Sequence, residues 1–219
     1  MIIKHLELHT DNLDATEQFY KAVLDLNPIE KRKSCIAFEI GRSILTFIKS
    51  ENINPVYHIA FDVPTNQLMD AFNWLEKRTL LLPVTDNSKL AEFPLWNAKS
   101  FYFFDNNGNI LELISRFDEN YESAAQFSSG SFLSISEIGI VTDDVFTYTN
   151  SLIENYDLNV YEKQPRMNNF TALGDSKGLL IVVAKNRNWY PTDRKAQSFW
   201  SRITIQTDKG CQVVITNPC

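Results

Sequence analysis

Histidine is scarce in this 219-residue chain, three in all, and two of the three open strand-like segments of one design. The segments are Lys4-His5-Leu6-Glu7-Leu8 and Tyr57-His58-Ile59-Ala60-Phe61, and a glutamate interrupts a third, Ile110-Leu111-Glu112-Leu113-Ile114. In each, the polar residue breaks a period-two pattern, so the apolar members face one side of a sheet and the His or Glu faces the other. Two neutral imidazoles and one carboxylate that can converge on a point form the donor set of a divalent metal with open coordination positions. His5, His58 and Glu112 are therefore the candidate ligands of one divalent ion per chain (Fe, Zn, Mn or Ni).

The same alternation places Glu7 and His9 on the face of His5, and Ala60 and Asp62 on the face of His58. A polar interior of this kind is costly unless it is wet or binds a metal. Glu7 and Asp62 are candidates for acid–base work or for orienting the ligands, and a solvated cavity wall accounts for them equally well. His9, beside Thr10 and Asp11, reads as a surface residue. Four tryptophans and fifteen phenylalanines could line an aromatic pocket, but Trp74 on its helical segment reads as core. Trp189-Tyr190-Pro191, flanked by Arg187 and Arg194, reads as a lid or an interface.

The elements that must carry these residues recur. A strand followed by a helix appears at His5 to Leu26, at His58 to Arg78 and at Glu137 to Leu158, each with a polar turn and then apolar residues at helical spacing. Asp14, Thr65 and Asp143 or Asp144 are the expected N-caps. Short strand candidates follow each helix: 28–33, 35–41 and 43–49; 80–84, 99–105 and 109–116; 159–163, 170–174 and 179–185. Two more are expected at 201–207 and 212–216. Asp105-Asn106-Asn107-Gly108-Asn109 supplies hairpin chemistry, with Gly108 free to take a positive φ. The polar, Ser-rich stretch from Asp118 to Ser131 is the expected boundary, leaving two βαβββ modules in 1–116, a linker in 117–132 and a third such module with two extra strands in 133–219.

Composition narrows the classes of function. With 44% hydrophobic and 22% charged residues the profile is that of a globular domain, and a formal charge of −6 argues against a nucleic-acid partner. No segment is apolar enough to span a bilayer, and a first strand beginning at Ile2 leaves no room for a signal peptide. Cys35, Cys211 and Cys219 show no metal-type spacing, so reduced thiols in a cytoplasm are expected.

With its paired βαβββ units, His5 in HLEL, His58 in HIAF and the stretch SFYFFDNNGNILELI at 100–114, the chain resembles the vicinal oxygen chelate superfamily. That group includes glyoxalase I, extradiol dioxygenases, and fosfomycin- and bleomycin-resistance proteins. The resemblance is good over residues 1–116 and looser over 133–185. It implies an α+β fold in which paired modules form a curved, cup-shaped mixed sheet, with ligands on the first and last strands of each module. His5, His58 and Glu112 match ligand positions, while the fourth falls on Thr46, a poor ligand near neutral pH. Ser100 and Tyr102 match the SFYF pattern of fosfomycin-resistance proteins. Ser100 and Asp62 are thus candidate substrate contacts, and Glu7 and Tyr102 candidate catalytic residues. Glu7 stands where fosfomycin chemistry would call for threonine.

The implied activity is that of a metal-dependent enzyme acting on a small oxygen-chelating substrate, by dioxygenase or Lewis-acid lyase or isomerase chemistry. A metal-free drug-binding protein is the alternative. With Thr46 in a ligand position, efficient glyoxalase I activity is not expected. In the third module Glu137 stands in the register of His5 and His58, but without imidazole partners it reads as an accessory, structural or partner-binding unit. An odd module lacks an intrachain mate, so either its two extra strands complete it or a second chain does, and a homodimer is the expectation.

Overall fold

The computed structural model describes residues 1–51 and 53–217. Three modules and a terminal hairpin follow one another. The first comprises β1 (Ile2–Thr10), α1 (Leu13–Leu24), β2 (Pro28–Lys31), β3 (Cys35–Ile40) and β4 (Ser43–Lys49). The second comprises β5 (His58–Asp62), α2 (Leu68–Glu76), β6 (Ala91–Phe93), β7 (Ala98–Phe104) and β8 (Ile110–Arg116). The third comprises β9 (Ser134–Thr142), α3 (Val145–Tyr156), β10 (Phe170–Asp175) and β11 (Gly178–Ala184), and β12 (Ser201–Gln206) and β13 (Gln212–Asn217) close the chain. The class is α+β, with a large mixed sheet and few helices.

Each helix buries one stripe at helical spacing, Thr16, Tyr20 and Leu24 in α1, Leu68, Ala71 and Leu75 in α2, and Val145, Thr149 and Leu152 in α3. The caps differ in part from expectation. Asn12, not Asp14, accepts from the Ala15 amide, and Asp144 caps α3. Gln67 precedes α2 without a side-chain cap, and the Thr65 hydroxyl donates to the Tyr121 carbonyl instead. Two expected strands shrink to single bridges, Leu81↔Phe103 and Val160↔Leu173, while β6 forms between the strand candidates 80–84 and 99–105, where none is expected.

Strand pairing departs from the expectation of a domain made by modules one and two. β5 lies antiparallel to β9, so modules two and three share a continuous run β6-β7-β8-β5-β9-β11-β10. The corresponding edge of β1 is taken by β12 over most of its length, and β1 meets β9 only at Ile3↔Ile135. Module one is therefore completed by the terminal hairpin. Among the described residues this mates the third module within the chain, which removes the reason for expecting a homodimer. The stretch expected to be a linker buries Phe127 and Phe132 in the main core. Its end crosses the β3–β4 turn, where a Cβ on Gly41 (φ 55°) would lie 2.2 Å from the Leu133 carbonyl oxygen. That approach and that φ both require glycine there.

The sheet separates two apolar regions. Ile59, Leu111, Leu113, Ile138, Leu180 and Val182 point into the large core under the helices, whereas Ile110, Leu179, Ile181 and Val183 belong to a second cluster with Tyr102 and Trp189. The second cluster surrounds the candidate site.

Candidate functional site

One register relation places the chemistry. In each module the first strand runs parallel to the last, with His5 opposite Ile44, His58 opposite Ile110 and Glu137 opposite Leu179. Two residues further along the last strand stand Thr46, Glu112 and Ile181, on the same face as the first-strand residue. Because β5 and β9 are neighbours with Ala60 opposite Glu137, the pairs from modules two and three meet. His58, Glu112 and Glu137 are all buried, and their donor atoms lie within 4.8 Å of one another. His58 Nε2 is 3.4 Å from a Glu112 oxygen and 3.7 Å from a Glu137 oxygen.

The second imidazole nitrogen fixes the first. His58 Nδ1 lies 3.3 Å from the Ile110 carbonyl, an acceptor, so Nδ1 carries a proton and Nε2 faces the two carboxylates, as a lone pair when the ring is neutral and as an N–H donor when it is protonated. With the ring neutral, three acceptors face one another and require a cation or a shared proton. Donors about 2.1 Å from a tetrahedral divalent ion stand roughly 3.4 Å apart, close to the separations here. The donor set and its spacing thus fit a divalent metal, with Ile181 in place of a fourth ligand.

Arg116, two residues beyond Ile114 on β8, is buried under this cluster. Its guanidinium is ion-paired with Glu137, its Nε donates to the Ser136 hydroxyl at 3.2 Å, and Asp62 lies 3.8 Å away. Three buried carboxylates, Asp62, Glu112 and Glu137, thus surround the Arg116 guanidinium and the His58 imidazole, with Arg42 acting on Asp62 from further off. The titration behaviour follows. Burial, reinforced by Glu137, pushes Glu112 up to about 7. Burial also raises Asp62 to about 7 against the pull of Arg116. For Glu137 burial is outweighed by Arg116 and His58, which hold its carboxyl low. Burial opposes the imidazolium of His58, yet Glu137 and Glu112 together raise its pKa. Burial, with Glu112 beside it, lifts the Tyr102 phenol well above its usual range, so it is a hydrogen-bond donor at neutral pH.

The cluster forms the floor of a cavity of about 370 Å³. Tyr102 and Ile181 join the floor, and Phe93, Trp96, Phe170, Trp189 and Tyr190 form the walls. Trp189 lies 5.4 Å from His58, ring to ring, and reaches that position over Gly139. A Cβ there would approach the indole to 2.4 Å, so the glycine is needed for the close contact.

The sequence-derived candidates divide. His58, Glu112 and Tyr102 come together. The Ser100 hydroxyl is buried beside Glu112 and Tyr102, near enough to lower both pKa values but with no hydrogen-bond partner of ordinary geometry. Asp62 does not line the cavity, because Arg116 stands beside it and holds it in the ion network. His5 and Glu7 belong elsewhere. His5 is half-exposed and its Nε2 bonds the Thr46 hydroxyl at 2.8 Å, while Glu7 lies between His5 and Arg202. The first-module histidine is therefore replaced in the cluster by Glu137 of the third module, whose imidazole partner comes from the second. Its register was visible in sequence, but its neighbour was not. The one sequence signal for Arg116 is its even spacing from Glu112 along β8, which puts both on one face. Cys35 and Cys211 are free thiols, and Cys219 lies outside the described residues.

No family model matches the chain. It is 26% identical over 118 residues to metallothiol transferase FosB of Staphylococcus haemolyticus, an alignment covering 51% of this chain and 81% of that protein. Among solved structures it is similar to a Bacillus subtilis strain 168 protein described as a candidate dioxygenase, with a TM-score of 0.63 and 13% identity over 99% of this chain and 84% of that one. A lactoylglutathione lyase from Agrobacterium tumefaciens aligns over 52% of this chain and 92% of its own length, at 22% identity and a TM-score of 0.42. Paired βαβ modules joined through their first strands define the fold, which the chain shares with the Bacillus subtilis protein. No described helix is long and apolar enough to cross a membrane.

Proposed function

We propose that the protein is a metal-dependent enzyme of the vicinal oxygen chelate type, acting on a small substrate that presents neighbouring oxygens. His58, Glu112 and Glu137 hold one divalent ion, with iron, zinc, manganese and nickel all compatible with an N/O donor set. The observation that carries this reading is the His58 ring, whose Nδ1 is committed to a backbone carbonyl while Nε2 faces two buried carboxylates. Such an ion would supply Lewis acidity toward a substrate oxygen or, as iron, dioxygen chemistry. The chain's own groups do the rest. Tyr102 donates a hydrogen bond at the floor, the aromatic walls exclude water, and Ile181 leaves one side of the cluster open to the cavity.

A second reading, a metal-free binding protein, is favoured by Arg116, which already neutralises Glu137. Metal analysis of protein purified without chelator separates the two. About one equivalent of metal, lost in Glu137→Gln, supports the enzyme reading. Metal-free protein that also fails to take up added zinc, manganese, nickel or iron sinks it.

A further inference from the structure

We infer that the cavity takes a single-ring aromatic molecule bearing an anionic substituent, and that Arg187 selects the anion. The inference deepens the proposed function and rests on the cavity assigned there. Its walls present aromatic rings held by one another in edge-on contacts. Tyr190 lies 84° to Tyr102 at 5.6 Å and 71° to Phe93 at 6.1 Å, and Trp96 lies 88° to Tyr161 at 5.3 Å. Rings locked by their neighbours keep their remaining faces and edges for a ligand ring, which prefers offset or edge-to-face contact. The volume, about 370 Å³, is near the lower end of ligand pockets, which run roughly 300–1,000 Å³, so one ring fits better than several.

Two polar groups in these walls lack the partners their surroundings call for. The Trp189 indole N–H is buried without an acceptor. Arg187 is half-buried on the cavity wall, stacked on Phe170 at 5.1 Å, with one hydrogen bond from Nη1 to the Asn188 carbonyl at 3.2 Å. Burial alone lowers its pKa, with no carboxylate acting against it. Arg116, by contrast, already has carboxylates beside it, Glu137 on Nη2 and Asp62 3.8 Å from Nε. A half-desolvated guanidinium on an aromatic platform offers a planar fork to a carboxylate, and the unmet indole N–H of another cavity-lining residue offers a further donor.

The test uses the full chain, with and without added zinc, titrated calorimetrically with phenylacetate, its neutral amide and cyclohexylacetate. Phenylacetate is expected to bind at least tenfold more tightly than either. Arg187→Gln should abolish the preference for the acid over the amide while keeping that for the aromatic ring, and Arg187→Lys should restore it in part. Equal binding of the amide, an undiminished preference in Arg187→Gln, or no binding of any probe would overturn the inference. Metal content measured on the same samples keeps the two readings apart. Metal-loaded protein that binds none of the probes removes this inference alone, and metal-free protein with the full preference removes the metal reading alone.

Discussion

His5 beside Thr46 and His58 beside Glu112 occupy matching positions of two modules, yet their surroundings have little in common. Around His58 the neighbouring strand brings Glu137, the residue two places beyond His58 is Ala60, and the residue two places beyond Glu137 is Gly139. Those small residues leave room for a cavity and for Trp189. Around His5 the neighbouring strand is β12, which places Arg202 opposite Glu7 and Thr204 opposite His5. There the position two places along is Glu7, and its charge is met at the surface by Arg202. The same local design thus yields a buried donor cluster where two such modules face each other, and a half-exposed polar patch where a hairpin stands in for the second module.

The largest effect should come from deleting the two imidazoles separately. His58→Ala is expected to weaken metal binding by roughly 100-fold or more, since a few ligands share a binding free energy of about 10–16 kcal/mol in structural zinc sites. His5→Ala should leave affinity within about threefold, measured by competition with a chromophoric chelator. A comparable loss in both variants would break the distinction between the two halves.

The cations opposite each cluster offer a sharper contrast in stability. Arg116→Met strands Glu137 and Asp62 in the interior and should lower unfolding free energy by about 3–5 kcal/mol in urea titrations at neutral pH. Arg202→Met removes a half-exposed partner 3.8 Å from Glu7 and should cost no more than about 1 kcal/mol. Equal losses would show that burial is not what separates the two halves.

Asp105 tests the seam between the modules. It sits in the β7–β8 turn, is held by the Asn107 and Asn109 amides and the Asn109 side chain, and accepts from Tyr20 of α1 at 3.4 Å. Burial raises it from 3.8 to about 6, against the pull of Asn109 and Asn107. Its folded pKa exceeds the unfolded one, so the contribution to stability is full below about 3.8 and is lost as pH rises through about 6. Relative to Asp105→Asn, the wild-type chain should therefore lose up to about 3 kcal/mol of unfolding free energy over that window, at 1.36 kcal/mol per pK unit. A pH-independent difference between the two melts would show that the seam does not titrate.

Much of this was legible in the residues themselves. Alternation marked β1, β5, β8 and β9 and assigned His5, His58, Glu112 and Glu137 to the face away from the helices, because side-chain direction in a strand is fixed by local geometry. The helical stripes and the Asp105–Asn109 turn were equally local. What the chain could not show was which first strand lies beside which. Strand edges present the same backbone N–H and C=O groups whatever the side chains, and β1, β5 and β9 share a pattern, so local sequence does not rank their pairings. That choice was made by β12 covering β1 and leaving the edge of β5 to β9. Sequence alone determined the kinds of residue the sheet would present and the face on which each would stand. The tertiary structure decided their company, joining Glu137 rather than His5 to His58 and Glu112, because convergence of side chains from distant strands depends on long-range pairing that no local pattern encodes.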